Sequence, residues 1–204
     1  MQDTYKTISK PSTEVVFKDK NSKFIGYAFP FTSELQLDTI ISELKSKHPK
    51  AGHFCYAYQI GKTEKNITYR VNDDGEPNNS AGMPIYGQIQ SFNVTDILIV
   101  IIRYFGGTKL GVSGLINAYK STSQLALEHS KIVRRTVKVK YLISFDYKNM
   151  NKVMRIIKEK NLDILAQELE LSCAIKIQVR KKDSKAVFDV LDRIYEVDVK
   201  QLKD

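Results

Sequence analysis

Four glycines and one lysine occur in the stretch RYFGGTKLGVSGLINAY, residues 103–119, which follows a run of aliphatic residues. Backbone N–H groups at Gly106, Gly107 and Gly111 can approach an anion closely, because glycine has no side chain in the way. Lys109 adds a positive charge, and a helix beginning in this stretch adds the positive end of its dipole. The pattern predicts a phosphate-binding loop, and positive φ angles with close strand–helix packing explain the glycines equally well.

The two residues before these glycines, Arg103 and Tyr104, supply a guanidinium group and an aromatic ring for stacking. The loop lacks the G-x-x-x-x-G-K-[ST] spacing of a P-loop, and the β-α-β pattern of a dinucleotide site does not follow it. The sequence therefore favours contact with a phosphate backbone over nucleotide hydrolysis.

Three carboxylates, Asp73, Asp74 and Glu76, lie in the turn-forming segment DDGEPNNSAGMP. They can bind Mg²⁺ between protein and phosphates, pair with a basic residue, or accept hydrogen bonds from backbone N–H groups of the turn. We expect pairing or capping and predict no cofactor, with Mg²⁺ as the alternative. The candidate basic partners are Arg70, Arg103 and Lys109.

His53 and Cys55 alternate along the strand-like segment HFCYAYQI and therefore share one face. With Asp73 or Glu76 beside it, His53 can act as a general base, so these three residues are the candidates for catalysis. Two ligands do not form a zinc site and the chain has no CxxC or HxxxH pair, so no metal site is predicted. A hydrogen-bonded histidine and a reduced, apolar cysteine are the expected roles.

Two predicted hairpins and a central strand must position these residues. TEVVFKD (13–19) pairs with SKFIGYAFP (22–30), and HFCYAYQI (53–60) pairs with NITYRVN (66–72), across polar turns. The run ILIVII (97–102) is rich in β-branched residues, which is typical of a strand covered on both faces.

Helices are predicted between these strands. Ser33 is an N-cap for a helix that ends at His48, and Ser80 is an N-cap for a short helix that ends at about Ser91. A third helix follows the glycine loop. Its predicted buried face consists of Leu115, Tyr119, Thr122, Leu125, Ala126 and His129.

From residue 134 the pattern restarts in the order β-α-β-β-α-β. The sequence therefore predicts an α+β protein of two domains, residues 1–133 and residues 134–204. No long Pro/Gly/Ser linker separates them.

The chain has a formal net charge of +9, which suggests an anionic partner. The charge is spread evenly, because residues 1–134 carry 16 Lys and Arg against 12 Asp and Glu and the remainder carries 16 against 11. Neither half is therefore a polycationic tail. We expect a cytoplasmic protein, because no apolar run is long enough to cross a membrane and the first residues lack the apolar core of a signal peptide.

Two segments, RVNDDGEPNNSAGMPIYGQI (70–89) and IIRYFGGTKLGVSGLINAYKSTSQLAL (101–127), resemble the Impact family, in particular its bacterial YigZ-type members. SKFIGYA (22–28) and GHFCYAY (52–58) match in the same order, so the resemblance covers about residues 10–130. In one departure, Asn-Ser stands where Gly-Thr is usual after DGEP, and the serine keeps the hydroxyl group.

The resemblance implies a ribosomal protein S5 domain 2-like fold for the first domain. The second is similar to the last domain of elongation factor G, a ferredoxin-like fold that bacterial members append. The resemblance also implies a role in regulating translation, with RNA or the ribosome as partner and a translation-regulatory protein as a further one.

Two functions therefore fit the sequence. The first is an RNA- or ribosome-associated binding protein whose Gly/Lys loop contacts the phosphate backbone. The alternative is a small-molecule enzyme acting on a phosphorylated or carboxylated substrate, with Asp73, Glu76, His53 and Lys109 meeting in one cleft near the DGEP segment. The predicted phosphate- or nucleic-acid-binding residues are Arg70, Ser80, Arg103, Tyr104, Gly106, Gly107, Lys109 and Gly111.

Overall fold

The computed structural model of the chain describes residues 3–202. Contacts between Cα atoms divide it into two compact units, one of residues 4–135 and one of residues 136–202 together with Asp3. The boundary expected from the sequence, between residues 133 and 134, lies close to this division. The division into domains of residues 1–133 and 134–204 stays a prediction.

The first unit is built on a five-stranded antiparallel sheet with the order β2-β3-β6-β4-β5, and β1 pairs with β7 in a separate two-stranded sheet. The strands are β1 (Thr4–Ile8), β2 (Val15–Asp19), β3 (Ser22–Pro30), β4 (His53–Ile60), β5 (Thr68–Asn72), β6 (Ile97–Tyr104) and β7 (Ile132–Thr136). The helices are α1 (Leu37–Lys47), α2 (Gly82–Ser91) and α3 (Gly111–Glu128).

Strand β6 lies at the centre of the sheet and is covered on both faces, as predicted. Ile97, Ile99 and Ile101 pack in one apolar cluster with residues of α2 and α3. Their neighbours at even positions pack in a second cluster with Leu37 and Leu44 of α1. The two-residue period of a strand thus produces two cores, one on each face of the sheet.

The predicted hairpin between β2 and β3 is confirmed. Asp19 pairs with Ser22, and the two residues between them, Lys20 and Asn21, have φ angles of +42° and +65°. Positive φ angles at both central residues are typical of the tight turn that joins twisted antiparallel strands.

Helix α2 begins near its predicted place, but the prediction that Ser80 caps it is wrong. The Ser80 hydroxyl donates to the carbonyl oxygen of Pro77 at 2.6 Å. The N–H groups of Ala81 and Gly82 donate instead to Oδ1 of Asp73, at 3.0 and 2.8 Å. A carboxylate from the preceding turn satisfies these N–H groups and complements the helix dipole.

The second unit contains β8 (Lys138–Asp146), α4 (Met150–Glu159), β9 (Asp163–Leu169), β10 (Ser172–Arg180), α5 (Ser184–Asp192) and β11 (Val197–Leu202). The predicted element order is confirmed, and the strands form one sheet in the order β11-β8-β10-β9. Apolar residues of both helices share one core with alternate residues of β8, β10 and β11. One face of the sheet therefore carries both helices.

None of the helices described within residues 3–202 is long and apolar enough to span a membrane.

Candidate nucleic-acid interface

Arg103 and Glu76 form a buried ion pair next to the glycine loop. Nη1 of Arg103 donates to both carboxylate oxygens of Glu76, at 2.7 and 2.9 Å. Only 6% of Arg103 and 8% of Glu76 is exposed. The hydroxyl of Tyr119 donates a third hydrogen bond to Glu76, at 2.8 Å. Pairing with a basic residue, one of the predicted roles of the carboxylates, is confirmed for Glu76.

Cys55 lies beside this pair and is fully buried. Its Sγ is 3.0 Å from the carbonyl oxygen of Asp73 and 3.3 Å from the hydroxyl of Tyr119. Burial raises the pKa of the Cys55 thiol, and burial also raises the pKa of the Tyr119 phenol. Both groups are therefore protonated near neutral pH, and the expected role of Cys55 as a reduced, buried residue is confirmed.

His53 and Asp73, the other candidates for catalysis, and the neighbouring Asp74 are also hydrogen-bonded within the protein. Asp73 caps α2, and Oδ2 of Asp74 accepts from the N–H of Phe54 at 2.6 Å. Nδ1 of His53 lies 2.8 Å from the carbonyl oxygen of Asp74 and donates to it, since a carbonyl oxygen only accepts. Each of the three carboxylates thus has its own protein partners, and residues 3–202 contain no group of three His, Cys, Asp or Glu residues that could hold a metal ion.

The glycine loop packs tightly on the β2–β3 hairpin at one point. The N–H of Gly106 donates to Oγ of the buried Ser22 at 3.2 Å. A Cβ atom on Gly106 would lie 2.1 Å from the carbonyl carbon of Asn21, so only glycine fits there. This contact holds the hairpin turn against the end of β6.

Residues 107–109 and Gly111 of the loop are exposed, whereas Leu110 is buried. Gly107 and Gly111 have φ angles of +83° and +75°, and a Cβ atom on either would meet no other atom within 4 Å. Within residues 3–202, the backbone N–H groups of residues 107–110 have no hydrogen-bond partner. Helix α3 then begins without a side-chain cap or an acidic residue in its first turn. The positive end of the helix dipole therefore lies beside the uncovered N–H groups and the exposed Lys109.

Three further lysines, which the sequence reasoning missed, lie in the hairpin whose turn packs against Gly106. Lys18 on β2 and Lys23 on β3 are directly opposite each other, and the exposed Lys20 lies in the turn. Lys23 also pairs in register with Tyr104 at the end of β6. No ion pair with the described residues is formed by the lysines of the loop and the hairpin, which are Lys18, Lys20, Lys23 and Lys109. We call residues 105–111 together with Lys18, Lys20 and Lys23 the loop–hairpin surface.

Two residues expected to bind phosphate are buried. Ser80 has no exposed surface and bonds to Pro77, while Arg103 is held by Glu76. The prediction chose Arg103 because it directly precedes the glycines and Ser80 because its hydroxyl follows DGEP in the resembling segment, but both residues are buried. Neither belongs to the loop–hairpin surface.

Tyr104 and Arg70 also lie outside this surface. The hydroxyl of Tyr104 is 3.0 Å from Nδ1 of the buried His48. Arg70 lies opposite Tyr58 on β4, and Tyr58 lies opposite Leu98 on β6. At 3.3 Å per residue, Leu98 is about 16 Å along β6 from Arg103. The predicted residues that remain exposed in the loop are Gly107, Lys109 and Gly111.

These features define a class of protein: a sheet-based α/β unit that carries a glycine loop and a basic hairpin at one end of the sheet, followed by a second α/β unit. The sequence profile of the Impact N-terminal domain matches residues 20–127, which include β3, β6 and the loop. The chain belongs to the Impact family.

Relatives match over most of the chain. The IMPACT family member YvyE of Bacillus subtilis is 31% identical over 188 residues, which cover 91% of this chain and 84% of the relative. An IMPACT family member of Haemophilus influenzae is 29% identical over 181 residues, 86% of each chain. A solved crystal structure of a hypothetical protein, 21% identical, matches with a TM-score of 0.75 over the whole of both chains, which supports the mixed α/β fold of two units.

Proposed function

We propose that this chain binds RNA, free or within the ribosome, through the loop–hairpin surface, and that this binding serves the regulation of translation. The observation that carries the proposal is the row of backbone N–H groups at residues 107–110, unpaired among the described residues, with the exposed Lys109, on a loop whose Gly106 packs against the turn between Lys18 and Lys23.

The physical reason is the charge of the surface. Like charges directly opposite each other on neighbouring strands destabilise a sheet. An anion that lies between them therefore stabilises the protein. Phosphate oxygens accept hydrogen bonds from loop N–H groups and neutralise lysines at the same time. A chain of phosphates spaced along RNA can reach the loop and the hairpin together.

Family membership supports the role in translation. The resemblance to the Impact family implies a role in regulating translation, and a regulator that acts on the ribosome meets RNA phosphate there. We also propose a cytoplasmic location and a translation-regulatory protein as a second partner.

Fluorescence anisotropy with a labelled single-stranded RNA tests the proposal. We expect saturable binding that weakens for Lys109→Ala and for Lys23→Ala. Lys65→Ala removes the same charge near β5, at the opposite end of the sheet, and is the matched control. Equal loss of affinity in all three variants would indicate attraction by net charge alone, and no binding by the unsubstituted chain would refute the proposal.

We also propose the finer fold assignments. The S5 domain 2-like fold for the first unit is supported by an antiparallel sheet with α1 on one face and α2 and α3 on the other. The ferredoxin-like fold for the second is supported by its β-α-β-β-α-β order with both helices on one face. Expression of residues 134–204 alone, with circular dichroism and thermal melting, tests whether this domain folds independently.

A further inference from the structure

Phe105 is the exposed aromatic residue of the loop–hairpin surface. Phe105 is 56% exposed and lies between the end of β6 and the first glycine of the loop. Its centroid lies 5.5 Å from the guanidinium carbon of Arg103, which also lies 5.6 Å from the centroid of the buried Phe24. The side chain of Phe105 thus rests on a buried cation and leaves much of its surface in water.

The arrangement orients the ring. Arg103 cannot move freely, because Glu76 holds it through two hydrogen bonds and Glu76 is itself held by Tyr119. A cation near an aromatic ring attracts it, so the guanidinium helps to position Phe105. An oriented, exposed ring loses little conformational freedom when a second flat group stacks on it.

The loop places this ring next to the proposed phosphate contacts. Phe105 and Gly107 are two positions apart in the chain, so their Cα atoms are at most about 7.6 Å apart. A phosphate near the N–H groups of residues 107–110 and a base near Phe105 can therefore belong to the same nucleotide or to adjacent ones. Bases in a duplex are stacked on each other and are not free to do this, whereas unpaired bases are.

We propose that Phe105 stacks on an unpaired base, so that the loop–hairpin surface recognises single-stranded RNA in preference to duplex RNA. This inference rests on the proposed function, since it assumes that the surface binds RNA.

The first test compares affinities. Phe105→Leu keeps an apolar side chain over Arg103 but removes the ring. Because the stacking of a base on the ring is lost, we expect its affinity for single-stranded RNA to fall roughly 5- to 100-fold. The control is Tyr69→Leu, because Tyr69 is 55% exposed and pairs in register through Gln59 with Ile97, at the other end of β6. A duplex of the same sequence is expected to bind the unsubstituted chain more weakly and to be insensitive to Phe105→Leu.

The second test uses fluorescence. The chain contains no tryptophan, so Phe105→Trp introduces a single reporter at the site, and Tyr69→Trp introduces one at the far end of the sheet. Saturable quenching by single-stranded RNA is expected for Phe105→Trp and not for Tyr69→Trp. Quenching should follow the same concentration dependence as anisotropy.

The outcomes separate this inference from the proposed function. If the unsubstituted chain binds neither RNA, the proposed function fails and takes the inference with it. If the unsubstituted chain binds RNA, Phe105→Leu binds it with the same affinity and the fluorescence of Phe105→Trp is not quenched, the inference alone is overturned. In that case a lower melting temperature of Phe105→Leu would show that the ring only covers the Arg103–Glu76 pair.

Discussion

Lys18 and Lys23 lie directly opposite each other on two antiparallel strands, without an ion-pair partner among residues 3–202. The predicted hairpin brought the two strands together, and the two-residue turn at Lys20 and Asn21 fixes the register that sets Lys18 opposite Lys23. The relationship places repulsion at the edge of the sheet, where an anionic partner can relieve it.

Substitution of Lys18 should affect stability and binding in opposite directions. We expect Lys18→Gln to stabilise the free protein by about 0.2–1 kcal/mol, since it removes a like-charge pair, and to weaken RNA binding. Urea unfolding and anisotropy measure the two effects. Lys65→Gln is the control and should change neither by much; a loss of stability in Lys18→Gln would show that Lys18 has a stabilising contact.

Gly106 should tolerate no side chain. Gly106→Ala is expected to lower the free energy of unfolding by about 1–3 kcal/mol or more, because its Cβ would lie 2.1 Å from backbone atoms of Asn21. Gly87→Ala is the matched control. Gly87 lies in α2, where a Cβ meets no atom within 4 Å, so this variant should be neutral or more stable. Equal unfolding midpoints for the two variants would contradict the packing of loop on hairpin.

Removal of Glu76 should be strongly destabilising. Glu76→Ala leaves the guanidinium of Arg103 buried without its partner, which costs about 3–5 kcal/mol. The double variant Glu76→Ala with Arg103→Met removes the uncompensated charge and should recover part of that loss. Denaturant unfolding of the single and double variants measures the coupling, and simple additivity would mean that the ion pair has no special role.

Acid should weaken the fold through His48. Burial lowers the pKa of its imidazole. The Tyr27 hydroxyl donates to Glu14, so Nε2 of His48 is assigned as a donor to Tyr27, and the Tyr104 hydroxyl donates to Nδ1. The imidazole is therefore protonated at a higher pH in the unfolded chain than in the folded protein. The free energy of unfolding has its full value above an unfolded pKa of about 6.5 and decreases as the pH falls toward the lower folded pKa.

The nearby charges do not reverse this sign. Glu14 favours the protonated imidazole, whereas Lys47 and Lys23 oppose it, and burial is the largest cause. Thermal melting between pH 7.5 and 5 should therefore show a falling midpoint that is less pH-dependent in His48→Gln. A midpoint that rises with acid in the unsubstituted chain would refute the assignment of a neutral His48.

Periodicity predicted the main elements of both units, because the two-residue and 3.6-residue patterns are strong in β6, in the hairpins and in α3. It missed β1, a short strand whose pairing with β7 joins residues far apart in the sequence. It began the first strand of the second domain at residue 134 and so did not separate β7 from β8, because the residues on either side of Val137 have similar composition.

The site was harder to predict than the fold. Residue type identified the glycines and Lys109, but it could not show that Arg103 and Ser80 point inward or that Asp73 rather than Ser80 caps α2. Those outcomes depend on which partners lie within hydrogen-bonding distance once the sheet is formed. The lysines of the hairpin were visible in the sequence KDKNSK, and the packing of their turn against Gly106 followed only from the register of β3 with β6.

The dependence of RNA affinity on salt tests the central claim most directly. Each phosphate neutralised on a single strand contributes about −0.7 to the slope of log K against log salt concentration. We predict a steep negative slope that becomes about 0.7 shallower for each of Lys18→Gln, Lys23→Gln and Lys109→Gln, and is unchanged for Lys65→Gln. Affinity that does not vary with salt, or slopes unaffected by substitutions on the loop–hairpin surface, would contradict the account.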